Sequence, residues 1–90
     1  MNDITKDFLI KNGFREEYKN FFTYINKEYT IEVTRREIPF HNKWWRIIIY
    51  SSTGFILGDI LVQTQDEFSM IMELYDVDLH IMIDSDIYPF

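Results

Sequence analysis

Three side chains near the end of the chain have a spacing that could bind a metal ion. Asp76, Asp78 and His80 stand two residues apart, and a β-strand would direct all three to one side. Carboxylate oxygens and an imidazole nitrogen are ligands for divalent cations. The same spacing is typical of the solvated face of an edge strand, where charges deter aggregation. Because the sequence offers no further ligand, we favour the second interpretation and predict neither a metal nor any other cofactor.

A single histidine is the candidate for acid–base chemistry. His41 follows Pro39 in a predicted loop from Ile38 to Lys43, and an ordinary histidine pKa of about 6.5 suits proton transfer. No serine, cysteine or carboxylate stands at a spacing that would make a recognisable catalytic pair with it, and the phosphate-binding and hydrolase motifs are missing from the sequence. We therefore predict that the protein is not an enzyme.

The segment from Arg35 to Arg46 combines four basic residues with aromatic side chains. Proteins bind single-stranded nucleic acid with this combination, in which basic side chains contact the phosphates and aromatic rings stack on the bases. Two observations oppose that function: the net charge of the chain is −6, and Trp45 is predicted to lie in the core. Weak binding of RNA or single-stranded DNA through residues 35–46 is therefore only an alternative.

The charges are distributed unequally along the chain. All nine lysines and arginines lie within the first 46 residues, whereas the last 44 residues carry eight acidic side chains and no basic one. An acidic surface repels phosphate backbones and attracts basic protein surfaces. We predict that this half binds a basic protein, the alternative being that its charge only maintains solubility. The residues predicted to bind the partner are Asp66, Glu73, Asp76, Asp78, Asp84 and Asp86.

Composition and length predict one small domain over residues 1–90. The chain is 47% hydrophobic and 18% aromatic, which is enough apolar material for a core. It contains no cysteine, which agrees with a reducing compartment. The first residues do not resemble a signal peptide and no segment has the length of a membrane span. We expect a cytoplasmic protein that is not associated with a membrane.

Helical patterns occur at both ends of the chain. Near the start, Asp3 is a candidate N-cap for a short helix, and Gly13 stands where a glycine would end it. Near the end, Thr64 and Glu67 form a capping box in which each residue satisfies a backbone N–H of the other. This excludes Glu67 from the predicted partner surface. Apolar residues then follow at helical spacing: Phe68, Ile71, Met72 and Tyr75.

The middle of the chain has the pattern of strands. Four segments are aromatic, β-branched or alternating: Asn20–Asn26, Tyr29–Thr34, Trp44–Ser51 and Phe55–Val62. Residues 77–83 also alternate between apolar and polar side chains, which predicts either a fifth strand or an extended tail. We predict an α+β fold with a four-stranded, or five-stranded, antiparallel sheet in the order α-β-β-β-β-α, with the optional strand last.

Pairing of the last two predicted strands determines which residues share a face. If Arg46 stands opposite Asp59, the charges meet and Gly58 lies beside Ile47. The predicted core face then bears Trp45, Ile47, Ile49, Ile56, Ile60 and Val62. The opposite face bears Trp44, Ile48, Tyr50, Leu57 and Leu61. Two short helices cannot cover both faces, so the second face is predicted to form a homodimer, which gives a homo-oligomeric structural module as another alternative function.

Several of these features together give a resemblance. The opening DFLIKNGF, the adjacent tryptophans of a central strand, the Gly58-Asp59 pair and the helix starting at Thr64 occur in this order. Over residues 5–80 the chain resembles short uncharacterised proteins encoded by phages and mobile elements of gut Bacteroidetes. The resemblance implies a small acidic accessory protein that inhibits a host defence or nucleic-acid-binding protein. It supplies no catalytic residues.

Overall fold

Five antiparallel strands form one sheet, with a helix before them and a helix after them in the chain. The computed structural model describes residues 2–38, 41–75, 77, 79 and 81–83. The elements are α1 (Lys6–Lys11), β1 (Arg15–Tyr18), β2 (Phe21–Ile25), β3 (Tyr29–Ile38), β4 (His41–Ser51), β5 (Ile56–Val62) and α2 (Gln65–Leu74). The strands lie in the sheet in chain order, from β1 to β5. The predicted α+β class and its antiparallel sheet are confirmed.

The additional strand is β1, before the four predicted strands. It pairs with β2 through Arg15 opposite Thr23 and Glu16 opposite Phe22. Its four residues, Arg-Glu-Glu-Tyr, have no apolar alternation, so the sequence pattern did not indicate a strand there. In the range 77–83, none of the described residues belongs to a strand.

The first helix begins and ends through local hydrogen bonds. Its N-cap is Thr5, whose hydroxyl accepts a backbone N–H of the first turn, so the predicted N-cap at Asp3 was wrong by two residues. The predicted end at Gly13 is confirmed: this residue has φ of 89°, which glycine adopts without strain. The N–H of Phe14 then donates to the carbonyl of Leu9 at 3.0 Å, the bond that closes a Schellman motif.

The core lies between the two helices and one face of the sheet. The Phe68 ring of α2 packs 5.6 Å from Phe8 and 5.7 Å from Phe14. Beneath these rings lie side chains from the central strands that are at most 4% exposed: Ile31, Val33, Trp45, Ile47 and Ile49. These rings and strand residues form a single cluster of buried apolar side chains.

The chain after α2 returns towards α1. Val77 is buried, and its N–H donates to the carbonyl of Met72 at 2.9 Å. The side chain of Asn12, at the end of α1, bonds to the backbone of Met82 in both directions. Its Nδ2 donates to the Met82 carbonyl at 3.1 Å, and its Oδ1 accepts the Met82 N–H at 2.6 Å. One buried amide therefore fixes this segment against the first helix.

The register of β4 and β5 differs from the prediction by two residues. Arg46 lies opposite Leu61, and Ile48 lies opposite Asp59. Over the pairs from Trp45–Val62 to Ile49–Gly58, a shift of two residues keeps each side chain on its predicted face. The ion pair of Arg46 with Asp59 therefore still forms, as a diagonal neighbour contact.

A second difference lies at the start of β5. The pairing is irregular between Ile49 and Tyr50, and Ile56 is 62% exposed although the pattern predicted it in the core. Gly58 lies opposite Ile49, where a Cβ would be only 3.1 Å from the ring of Tyr75. The missing side chain of Gly58 therefore makes room for the end of α2.

Candidate interaction surfaces

Of the six residues that the sequence predicts for the acidic surface, two lie among the residues that the structure describes. Asp66 and Glu73 lie in α2, both are exposed, and their spacing of seven residues places them on one side of the helix. Asp76, Asp78, Asp84 and Asp86 lie outside the described residues, as does His80. The structure therefore gives the surroundings of the two acidic residues on α2.

Three basic residues of the first half form ion pairs with carboxylates, two with acids of the first half and one with Asp59. Lys6 Nζ lies 2.8 Å from Glu16 Oε1, and this hydrogen bond raises the pKa of the lysine. Arg15 Nε lies 3.6 Å from the carboxylate of Glu17. In the part of the chain that the structure describes, no lysine or arginine forms an ion pair with Asp66 or Glu73. The described part of the first half therefore does not neutralise these two charges.

The five residues that the sequence predicts for self-association lie on the side of the sheet that points away from both helices. We call it the open face, and its residues are Trp44, Ile48, Tyr50, Leu57 and Leu61. Leu57 is 50% exposed and Leu61 is 44% exposed. The three residues of β4 are half-buried. The structure thus brings all five predicted residues to one side of the sheet, as alternation requires.

Polar contacts cross the open face between these apolar side chains. Arg46 donates from Nε to Asp59 Oδ1 at 2.8 Å and from Nη2 to Oδ2 at 2.5 Å, a two-bond pair that raises the pKa of the arginine. The Tyr50 hydroxyl donates to Glu32 Oε1 at 3.1 Å, and this hydrogen bond raises the pKa of the tyrosine. The open face is therefore mixed in character and is not a continuous apolar patch.

A groove between β5 and α2 was not predicted from the sequence. One cavity of about 220 Å³ lies against both elements, and an adjoining one of about 280 Å³ follows α2. The residues that line them are Ile60, Leu61, Val62, Glu67, Met70, Ile71, Glu73 and Leu74. The two cavities adjoin, because they share Met70 and Ile71, and we call the two together the β5–α2 groove.

The helix side of this groove carries unusually exposed apolar residues. Met70 is 66% exposed and Leu74 is 73% exposed, although Phe68 and Met72 on the same helix are buried completely or nearly so. The spacing of four between Met70 and Leu74 places them on one side. In the sequence, this spacing marks a second apolar stripe on α2 beside the one that contains Phe68 and Met72. Only the packing of the helix on the sheet decides which stripe faces the core.

One carboxylate of the groove is held by the helix cap. Glu67 Oε1 accepts the backbone N–H groups of Gln63 and Thr64, each at 3.0 Å. The bond from Gln63 and, secondarily, those from Thr64 lower the pKa of Glu67, while burial opposes them. The predicted capping box is confirmed, and Glu67 is ionised at neutral pH at one end of the groove.

Within residues 35–46, His41 lies in a different element from the one predicted, whereas Trp45 lies in the predicted core. His41 is the first residue of β4 and not part of a loop, because β3 and β4 extend further towards each other than the pattern indicated. Trp45 is 4% exposed, and Arg35 lies over its ring at 6.0 Å. Trp45 therefore belongs to the core, as predicted, and is not available to stack on a nucleic-acid base.

Comparison of the chain with models of known protein families, with curated proteins and with solved structures finds no match. Among the described residues, no group of three or more histidine, cysteine or acidic side chains is arranged to hold a metal ion. The helices within the same residues are too short or too polar to cross a membrane.

Proposed function

We propose that this chain is a non-enzymatic interaction protein whose acidic C-terminal half binds a basic partner protein in the cytoplasm. The observation that carries the proposal is the isolation of Asp66 and Glu73. Both are exposed on α2 without an ion-pair partner among the described residues, while Lys6, Arg15 and Arg46 are each engaged by a carboxylate elsewhere. Such unbalanced charge accelerates association with a surface of opposite sign.

The position of Glu73 supports this proposal because it opposes stability. Glu73 lies in the last turn of α2, where the helix dipole is negative, and no basic residue is present in that turn. A carboxylate there costs about 0.3–1 kcal/mol. The neighbouring Met70 and Leu74 also expose large apolar side chains. Charge for steering and apolar area for contact thus occur together, as they do in protein interfaces.

The resemblance to phage and mobile-element proteins suggests which partner to seek first. Proteins that bind nucleic acid present basic surfaces, and these complement an acidic helix. A nucleic-acid-binding or defence protein of the host is therefore our first candidate for the partner.

Charge removal at α2 tests the proposal. The variant Asp66→Asn/Glu73→Gln is compared with Asp7→Asn/Glu28→Gln, which removes the same charge from exposed sites in the first half. Each immobilised protein is exposed to a lysate of the source cell at low and at high salt. We expect a salt-sensitive partner that the first variant loses and the second retains. Equal capture by both variants would leave solubility as the role of the acids.

A second candidate function is a homodimer formed through the open face. The observation that favours it is the exposure of Leu57 and Leu61 on a face that no helix covers. An Ile48→Asp substitution should then convert a dimer into a folded monomer, measured by light scattering after size exclusion. A wild-type protein that is monomeric at high concentration, or an unfolded variant, would contradict this function.

A further inference from the structure

The two edges of the sheet are built differently. β1, at one edge, has four residues of which three are charged, and its pairing is irregular. Short length, charge and irregularity are the ways in which proteins prevent unwanted pairing at an edge. β5, at the other edge, has seven residues and only one charge, Asp59, which Arg46 already engages. It contains neither lysine nor proline. Its own irregularity lies at its start, opposite Tyr50, so the regularly paired part from Gly58 to Val62 carries no protection beyond the engaged Asp59.

The edge of β5 is also open within the described residues. β5 pairs with β4 and with no other described strand, and beyond its end there is only an isolated bridge between Asp3 and Thr64. The backbone groups on the outer side of β5 are therefore not used in a ladder with any described strand. An edge of this kind accepts an extended segment from another chain.

The β5–α2 groove follows this edge. The cavity next to β5 is lined by the consecutive residues Ile60, Leu61 and Val62. Ile60 and Val62 alternate with Leu61, so they share the face that the helices cover, and the cavity lies along this stretch of the strand. Met70 and Ile71 form its other wall. A strand added to β5 would place alternate side chains against these two helix residues.

The charges at the groove select the occupant. Glu67 and Glu73 stand six residues apart along α2, roughly 9 Å, and each lines one of the two cavities. The capping role of Glu67 had excluded it from the predicted partner surface, but its cap bonds all use Oε1, so its position in the groove allows a contact through the same carboxylate. Among the described residues that line the groove, none is basic. Side chains on one face of an added strand would repeat about every 6.6 Å. Two basic side chains that flank an apolar one on this face would stand about 13 Å apart. This exceeds the separation of the two glutamates along the helix by about 4 Å, which the length of a lysine or arginine side chain can span.

A second copy of this chain does not match as well. Two β5 strands paired about a two-fold axis would bring their central residues, the two Asp59, close together. The two α2 helices would lie on the same side of the joined sheet, with the charges of Asp66, Glu67 and Glu73 facing each other. Like charges at such a contact oppose association.

We propose that β5 is the acceptor strand of this protein: an extended segment of the partner adds to it as a sixth strand, with an apolar side chain in the β5–α2 groove and lysine or arginine beside Glu67 and Glu73. This rests on the function proposed above and specifies the form of the partner. Main-chain hydrogen bonds supply the affinity in this mode, and the groove supplies the specificity.

The test uses a synthetic heptapeptide, which matches the length of β5. Its second, fourth and sixth residues are Lys, Val and Lys, and its other four residues are Thr. A fluorophore on the peptide reports binding to the full-length protein through fluorescence anisotropy. Two further peptides carry N-methyl groups at alternate positions, one at the Lys and Val residues and the other at the Thr residues. Strand addition uses only one side of the peptide backbone. One N-methyl peptide should therefore lose at least about tenfold in affinity, and the other should bind within about threefold of the parent.

Variants of the protein locate the peptide. Met70→Lys places a positive charge in the groove, and Ile10→Lys makes the same change at an exposed site on α1. We expect Met70→Lys to weaken binding at least about tenfold and Ile10→Lys to change it by less than about threefold. Equal effects of the two variants would overturn the groove as the site.

The outcomes separate this inference from the proposed function. Similar affinities for both N-methyl peptides would overturn strand addition, as would no binding of the parent peptide. In either case the proposed function would still stand if the Asp66→Asn/Glu73→Gln variant loses its salt-sensitive partner. Conversely, strand addition to the groove is supported if the two N-methyl peptides differ and Met70→Lys weakens binding.

Discussion

Replacing Asn12 by alanine should release the segment after α2 from the rest of the fold. Asn12 is 6% exposed and makes three side-chain hydrogen bonds. Its Nδ2 donates to the carbonyls of Phe8 at 2.8 Å and Met82 at 3.1 Å, and its Oδ1 accepts the Met82 N–H at 2.6 Å. Alanine keeps the backbone at the end of α1 but removes all three bonds.

The size of the effect follows from these bonds. Each intramolecular hydrogen bond contributes about 0.5–1.5 kcal/mol. The two bonds to Met82 are only partly buried, so water can replace part of their contribution in the variant. We expect Asn12→Ala to lower the free energy of unfolding by about 2–3 kcal/mol. In a domain of this size that loss lowers the Tm by roughly 10–20 °C.

Urea unfolding followed by tryptophan fluorescence measures this change, because Trp45 is buried in the folded protein. Hydrogen exchange at the Met82 amide reports the segment directly and should become much faster. Met82→Ala is the matched control. It truncates a half-exposed side chain but keeps both backbone groups that Asn12 binds. An Asn12→Ala variant no less stable than Met82→Ala would refute the reasoning.

Three further predictions concern single contacts. Gly58→Ala should destabilise the fold by about 1 kcal/mol because its Cβ would press on the ring of Tyr75. In a Tyr75→Ala background the same change should be neutral or stabilising, and urea unfolding of wild type, both single variants and the double variant measures this. A double-mutant cycle on Arg46 and Asp59 should give a favourable coupling energy that decreases at high salt; coupling that is insensitive to salt would contradict an exposed ion pair. Glu67 has a lowered pKa, so its ionised form stabilises the fold above its ordinary pKa of 4.5, and this contribution is lost as the pH falls through the lower, folded pKa. Wild-type protein should therefore exceed Glu67→Gln in stability by about 0.5–1 kcal/mol at neutral pH, and the difference should disappear in acid, as denaturation at both pH values would measure.

Signals that act over a few residues were readable in the sequence. The capping box of Thr64 and Glu67 and the glycine that ends α1 at Gly13 both form as predicted. In each case the interacting groups lie within five residues, so the chain needs no distant partner to satisfy its backbone. The α+β class follows in the same way, because apolar periodicity is also a local property.

Strand register was only half determined by the sequence. Alternation assigns Arg46 and Asp59 to one face, and both lie there. Alternation cannot distinguish two registers that differ by two residues, since each places the same side chains on the same face. The ion pair does not decide between them, because it forms equally well between diagonal neighbours. The irregularity between Ile49 and Tyr50 is part of the observed pairing and has no signal in the residue types.

The sequence by itself determined where α2 begins and where α1 ends, which strand faces are mainly apolar and how charge divides along the chain. The tertiary structure alone decided that β1, rich in charge, closes one edge of the sheet and that β5 is left at the other. It also decided that Asn12 holds Met82, 70 residues away. The physical reason is that edges, grooves and buried polar pairs are properties of elements that meet in space. No spacing of residues along a single strand or helix can specify which neighbour it will meet.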